Sequence, residues 1–170
     1  MPPTFDWQSI GDIREGRPTL GDNTSVTAYR LALFSLKHAL VEKLGEEEAR
    51  AVFYAAGQSA GRELYAVRLG GIQSVSALVQ AVADLFNEFK LGIFRIEEAD
   101  PKEGRFEFSI LEDLDCSGTP DVGSTQCPFD EGVISGVLSA YLGKEVEVRE
   151  TECWGAGGKT CRFEAVVAHA

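Results

Sequence analysis

The sequence predicts an α+β domain in the order αααββαββ, with helices packed on one antiparallel sheet. Three observations carry that prediction. Between residues 24 and 89 apolar side chains recur at three- and four-residue spacing, the pattern of amphipathic helices. From residue 93 the period changes to strand-like alternation, returns to helical around residues 129–142, and alternates again to the end. A chain of 170 residues with no internal repeat, low-complexity tract or long linker fits one domain with a substantial core.

The elements follow in order. Residues 1–23 are rich in Gly, Pro and Asp and carry scattered apolar anchors (Phe5, Trp7, Ile10, Ile13, Leu20). They read as an irregular arm packed on the body or on a partner subunit, ahead of a domain spanning 24–170. Thr24 or Ser25 caps a helix to Leu44, with Leu33, Leu36, Leu40 and Leu44 as its buried stripe. Gly45 ends that helix, and Glu46, Glu47 and Glu48 occupy the first turn of the next, where the dipole favours negative charge. This second helix runs to about Leu69. Its small residues Ala56, Gly57, Ala60 and Gly61 suit close helix–helix packing better than a ligand or a symmetric partner. Ser74 caps a third helix with the stripe Leu78, Val82, Leu85, Phe86 and Phe89. IFRIEEAD and GRFEFSIL read as strands joined by a Pro101–Gly104 turn, with Ile93, Phe94, Ile96, Phe106, Phe108 and Ile110 as apolar positions. A loop dense in turn formers leads to a fourth helix ended by Gly143. KEVEVRETEC and KTCRFEAVV then form a closing hairpin.

Charge and composition exclude some functions. Acidic residues outnumber basic ones 27 to 16, for a net charge of −11, which disfavours nucleic acid and anionic membranes as partners. No stretch pairs a basic segment with an apolar run as a secretory leader does, and no apolar run reaches the ~18 residues of a membrane span. The expected compartment is the reducing cytoplasm, where four cysteines point to metal or chemistry before disulfides.

The candidate chemistry sits near the C-terminus, where Cys127, Glu150, Cys153 and Cys161 read C-x22-E-x2-C-x7-C. A hairpin carrying a carboxylate and two thiolates, met by an upstream thiolate, can close a tetrahedral zinc shell. Spacing alone leaves zinc and plain buried cysteines evenly matched. Residues three apart on a regular strand face opposite ways, so Glu150 and Cys153 need a bulge or strand end to converge. Cys116 is the substitute fourth ligand if Glu150 is only a strand residue. Such a shell carries excess negative charge, and Arg149, Lys159 and Arg162 are the cations nearest in sequence. His38, between apolar helix positions, and His169, at the C-terminus, are the only histidines, and neither reads as catalytic. No phosphate-binding Gly loop and no G-x-S-x-G elbow is present, so no nucleotide site or hydrolase is expected. Leu78, Phe86, Phe94, Phe106 and Phe108 come from elements that face one another and are the candidates to line an apolar pocket.

The segment CPFDEGVISGVLSAYLGKEVEVRETECWGAGGKTCRFEA resembles the signature of the 4-vinyl reductase domain family: a Cys before a Gly-containing helix, L-G-K-x-V-x-V, E-x-x-C, a Gly-rich turn and C-x-F. The resemblance spans roughly Thr24 to Val167 and is most specific in this C-terminal motif. It implies a small-molecule-binding fold shared with sensor domains of aromatic-responsive transcription activators, with transport-particle subunits that hold an acyl chain and, more distantly, with haem-based gas sensors. It also implies Zn²⁺ on Cys127, Glu150, Cys153 and Cys161, with Cys116 outside the pattern as a spare thiol. The His and Trp that grip a phenol hydroxyl in the sensors have no counterpart; Leu78 and Phe106 fall near those positions, which favours a more apolar or larger ligand. The expectation is thus a stand-alone, homodimeric, zinc-stabilised domain binding a hydrophobic aromatic, acyl or tetrapyrrole molecule. No catalytic or redox-cofactor motif marks it as an enzyme. The alternatives are a tetrapyrrole-pathway accessory protein and a ligand-free dimeric scaffold.

Overall fold

Local capping sets the ends of the helices. The computed structural model describes residues 5–168, so His169 lies outside the described residues. The N-terminal arm is not wholly irregular. Asp6 and Asp12 accept from the N–H groups of Gln8 and Glu15, opening a 3₁₀ turn (Trp7–Ile10) and the single-turn α1 (Ile13–Gly16). Of the arm's apolar anchors only Trp7 packs against the core; Phe5, Ile10, Ile13 and Leu20 remain exposed. Ser25 Oγ accepts from Ala28 N at 3.1 Å and starts α2 (Val26–Leu44). Gly45 adopts φ 87° between α2 and α3 (Glu46–Leu64), a left-handed conformation that favours glycine. The predicted second helix then loosens into a π-helical turn (Tyr65–Leu69) before Gly70 and Gly71, and Ser74 caps α4 (Val75–Glu88).

Strands β1 (Ile93–Asp100) and β2 (Arg105–Leu111) precede α5 (Pro128–Leu142), and β3 (Val146–Glu152) and β4 (Cys161–Val167) close the chain. The four strands form one sheet in the order β1-β2-β4-β3, every pair antiparallel. Alternation gives the sheet one apolar face. Phe106, Phe108 and Ile110 of β2 and Cys161, Phe163 and Ala165 of β4 point inward, while Arg162 pairs with Glu107 and Glu152 on the outer face. The architecture is therefore the predicted α+β, with every long element in the predicted order.

α5 is buried over most of its length because it is sandwiched between the sheet and α3. Two glycine pairs allow that approach. A Cβ at Gly57 or Gly61 of α3 would collide with the carbonyl oxygens of Phe129 or Val133 on α5. One at Gly132 or Gly136 would collide with those of Tyr54 or Gln58 on α3. The small-residue face of the second helix is thus a helix–helix contact, made by its glycines; Ala56 stays exposed.

Three packing expectations are corrected. α2 buries no residue: Leu33 and Leu40 are half-buried, whereas Leu36 is 55% and Leu44 49% exposed. Spacing identified an apolar stripe, but α2 packs mainly on α3 and leaves much of that stripe outside. Phe89, at the C-cap of α4, is also exposed, lying beneath the guanidinium of Arg68. Ile93 begins β1 on the solvent side.

Candidate metal centre and apolar cavity

Each cysteine reaches the same point from a different piece of backbone. Cys127 is the N-cap residue of α5, Cys161 opens β4, and Cys153 lies between β3 and the 3₁₀ turn Trp154–Ala156. Glu150 is an inward residue of β3, following Val146 and Val148. A β-bulge resolves the alternation problem: Glu150 pairs with Phe163 and Glu152 with Arg162, leaving Thr151 as an extra residue that re-aims the strand end. Glu150 and Cys153 consequently enter one cluster.

Cys116, set aside as a spare thiol, stands in that cluster. Its Sγ lies 3.1 Å from Cys161 Sγ and 3.6 Å from Cys153 Sγ, while Cys127 Sγ is 3.8 Å from Cys153 and 3.9 Å from Cys161. One donor atom from each of Cys116, Cys127, Glu150, Cys153 and Cys161 lies within 4.8 Å of all the others, and all five residues are buried. No bulk property singled out Cys116; its position depends on the loop between β2 and α5. There Asp113 Oδ1 accepts from Asp115 N at 2.7 Å and Cys116 N at 3.0 Å, turning the chain inward.

The donor set fits a thiophilic divalent cation. Tetrahedral Zn–S bonds of ~2.3 Å place sulfurs about 3.8 Å apart, close to three of the four separations given above. Glu150 Oε2 accepts from Gln126 N and Cys127 N at 3.1 and 3.0 Å, whereas Oε1 is buried with no hydrogen-bond partner among the described residues. Without a cation the thiols share protons unevenly. Cys153 is pulled far down by the S–H groups of Cys116, Cys127 and Cys161 directed at it, and donation pushes Cys127 and Cys161 up. Burial, then the charge on Cys153, pushes Glu150 up to about 8. Both effects describe an anionic pocket short of positive charge.

The cations facing this pocket are not those nearest in sequence. Arg162 is committed to the outer face of the sheet, and Arg149 and Lys159 are exposed. Strand alternation sends the neighbours of an inward ligand outward. Instead α2 and α3 supply Lys37, Arg30 and Arg50. Lys37 Nζ donates to Gln126 O and Oε1, Arg30 donates to Leu114 O and Asp113 O, and Arg50 pairs with Glu131, which accepts from Glu150 N at 2.7 Å. Behind the cluster, burial raises Asp113, Asp115 and Asp130, with Asp115 reaching about 6; Tyr29 Oη donates to Asp115 at 2.8 Å.

A separate apolar cavity lies between α4, α5 and the sheet. Leu78, Val82 and Phe86 come from α4, Phe94 and Phe108 from β1 and β2, and Ile134 and Leu138 from α5. Four of the five predicted pocket residues therefore line it. Phe106 does not; it is buried beside the cavity, stacked on Phe108 at 6.2 Å between centroids. The cavity is closed, at about 20 Å³, and every lining side chain is hydrocarbon. Phe86, Phe94 and Phe108 stack across it at 5.1 and 5.2 Å. His38 is remote from both sites, on the open side of α2 with Glu42 at 3.6 Å. Among the described residues no helix is long and apolar enough to cross a membrane.

Residues 106–167, from β2 through β4, match the 4-vinyl reductase domain, and this segment contains all five cluster donors. The chain carries that domain, the one its C-terminal motif resembles. Two uncharacterized proteins of Methanocaldococcus jannaschii are similar to it. One is 37% identical over 83 residues, 49% of each chain; the other is 31% identical over 114 residues, 66% of this chain and 62% of the relative. The matches thus span about half and about three fifths of those relatives' lengths.

Solved structures share the fold. The phenol-responsive sensory domain of the transcription activator PoxR, solved with phenol, superposes with a TM-score of 0.63 at 24% identity, covering 80% of this chain and 73% of that one. A vinyl-4-reductase family protein from M. jannaschii gives 0.63 at 13% identity and covers 99% of both chains. Subunit 3 of a trafficking protein particle complex from Naegleria fowleri, covalently bound to palmitic acid, gives 0.59 at 14% identity, covering 84% of this chain and 97% of that one.

Proposed function

We propose that this protein binds a hydrophobic small molecule between α4, α5 and the sheet, and that a zinc ion clasps the β3–β4 hairpin to the start of α5. The cavity carries the first part. Its lining offers no hydrogen-bond donor or acceptor, so it selects hydrocarbon or weakly polar aromatic and acyl groups and penalises a phenol hydroxyl, which would be buried unpaired. Related folds accommodate phenol and palmitate, which supports ligand binding as a use of this architecture. Among the described residues no histidine approaches the cavity to serve as an axial ligand, so an apolar guest is favoured over haem-like tetrapyrroles.

The cysteine cluster carries the second part. Cys127, Cys153 and Cys161 supply three thiolates, and the fourth position of a closed structural shell lies between Glu150 and Cys116. α2 supplies a third feature. Its exposed Val26, Leu31, Phe34, Leu36 and Leu44 form a face that a second copy of the chain would cover, giving a homodimer.

Thermal unfolding with a ligand panel tests the binding reading. An alkylbenzene or a medium-chain acyl group is expected to raise Tm, with stabilisation growing by about 1.4 kcal/mol per tenfold excess over Kd. Phenol is expected to bind more weakly. Leu78→Trp, which fills the cavity from α4, should abolish the shift while leaving zinc content unchanged. A panel that leaves Tm unmoved in the wild type would favour the scaffold reading instead.

A further inference from the structure

We propose that Cys116 is a resident metal ligand, so that the clasp is a four-sulfur shell and Glu150 works outside it as a positioning residue. The proposal rests on the zinc reading above and assigns its fourth donor. Four observations support it.

First, the sulfurs of Cys116, Cys127, Cys153 and Cys161 form a ring of contacts between 3.1 and 3.9 Å, with each residue no more than 1% exposed. A sulfur placed there but left out of the shell would be a fourth thiol crowded against three coordinated thiolates. Second, the loop is built to aim Cys116 inward. Glu112 takes a left-handed φ of 52°, Asp113 gathers the N–H groups of Asp115 and Cys116, and Thr119 Oγ1 donates to Cys116 O at 2.7 Å. A non-glycine residue held at positive φ indicates that this turn is enforced.

Third, Glu150 already has a task. Its Oε2 receives both Gln126 N and Cys127 N, fixing the backbone that presents the Cys127 sulfur, which is the work of an outer-shell partner. Its Oε1, buried and unpartnered, is the rival donor that the experiment must separate from Cys116. Fourth, three thiolates plus a carboxylate and four thiolates carry the same charge. The pocket's electrostatics therefore do not favour oxygen, and the softer sulfur suits zinc at least as well.

If Cys116 is a ligand, the ion joins three stretches of chain: the β2–α5 loop, the start of α5 and the closing hairpin. α2 grips the first of these through Arg30 on Leu114 O at 2.7 Å and Tyr29 on Asp115.

Zinc K-edge X-ray absorption on the zinc-loaded full chain, kept reduced, decides the assignment. The wild type is expected to show four sulfurs at ~2.3 Å and no light-atom ligand. Glu150→Gln should keep that four-sulfur shell and weaken zinc roughly 10–100-fold, as outer-shell substitutions do. Cys116→Ser should lose one sulfur and gain an oxygen. Three sulfurs and one oxygen in the wild type would overturn the proposal whatever the variants do, and leave the zinc clasp standing. Protein that takes up no zinc, or that isolates with a Cys116–Cys161 disulfide, would overturn the clasp and this assignment together.

Discussion

Glycines and cysteines decide this structure at the residue scale, for opposite reasons. Gly57, Gly61, Gly132 and Gly136 matter because each lacks a Cβ where a backbone carbonyl of the facing helix stands. Glycine inside a helix costs up to ~1 kcal/mol relative to alanine, so these four weaken α3 and α5 as isolated helices. The close approach they permit compensates, because α5 can be covered by the sheet on one side and α3 on the other. Gly132→Ala is therefore expected to destabilise the protein despite its better helix propensity, by about 1–3 kcal/mol as overpacking does. Chemical denaturation measures it, and an unchanged or raised midpoint would show that α3 and α5 separate easily. That glycine face was legible in sequence because helical spacing puts Gly57 and Gly61 on one side. Cys116 was not, since nothing in its local sequence reports that a loop will carry it to cysteines far along the chain. Thr151 gives the same lesson: the need for a bulge between Glu150 and Cys153 could be stated from strand geometry, but only the pairing with β4 shows where the extra residue lies.

At the element scale the helices divide by how firmly they are held. α5 is wedged between α3 and the sheet, whereas α4 packs chiefly on β1 and the π-helical turn that precedes it. Gly71 at φ 85° breaks the chain before α4, and Lys90 at φ 58° and Gly92 at φ 154° follow it. These are features of a segment that can swing without disturbing its neighbours. The cavity requires such movement. At about 20 Å³ it is far below the ~300 Å³ or more of ordinary ligand pockets, so a guest enters only if a wall moves. α4 is the wall with least to lose, because the Arg68–Glu88 pair that ties its end to the π turn is exposed and worth at most about 1 kcal/mol. Hydrogen exchange should accordingly be faster in α4 than in α5 in the free protein, and an apolar ligand should slow exchange in α4 and residues 65–71 most. Equal protection of α4 and α5, unaltered by ligand, would argue against entry by this route. The boundaries of both helices were legible from Ser74, Gly143 and apolar periodicity. Their unequal anchoring was not, because periodicity gives an element's apolar face and is silent about what that face meets.

α2 shows the same gap at the scale of the whole molecule. Its leucines read as a buried stripe, yet the helix presents one side to the body and leaves the other open. Inward, Tyr29, Arg30 and Lys37 hold the loop that carries Cys116 and the residue before Cys127. Outward, Leu31 is 71% and Leu36 55% exposed. A 19-residue helix is about 28 Å long, enough for two copies to pair along it and approach the ~1,200–2,000 Å² of a specific interface, with Val52 and the N-terminal arm at the margins. Association must work against the repulsion of two chains each carrying −11. Light scattering should therefore find a dimer whose stability rises with salt as repulsion is screened. Leu31→Lys with Leu36→Glu should leave a folded monomer, because neither side chain is buried within one chain. That monomer should keep its zinc and its apolar ligand, since both sites are complete inside a single copy. A wild type that stays monomeric at high salt would leave α2 open to a different partner. A double variant that loses zinc along with the dimer would show that pairing along α2 is what holds the Cys116 loop in place.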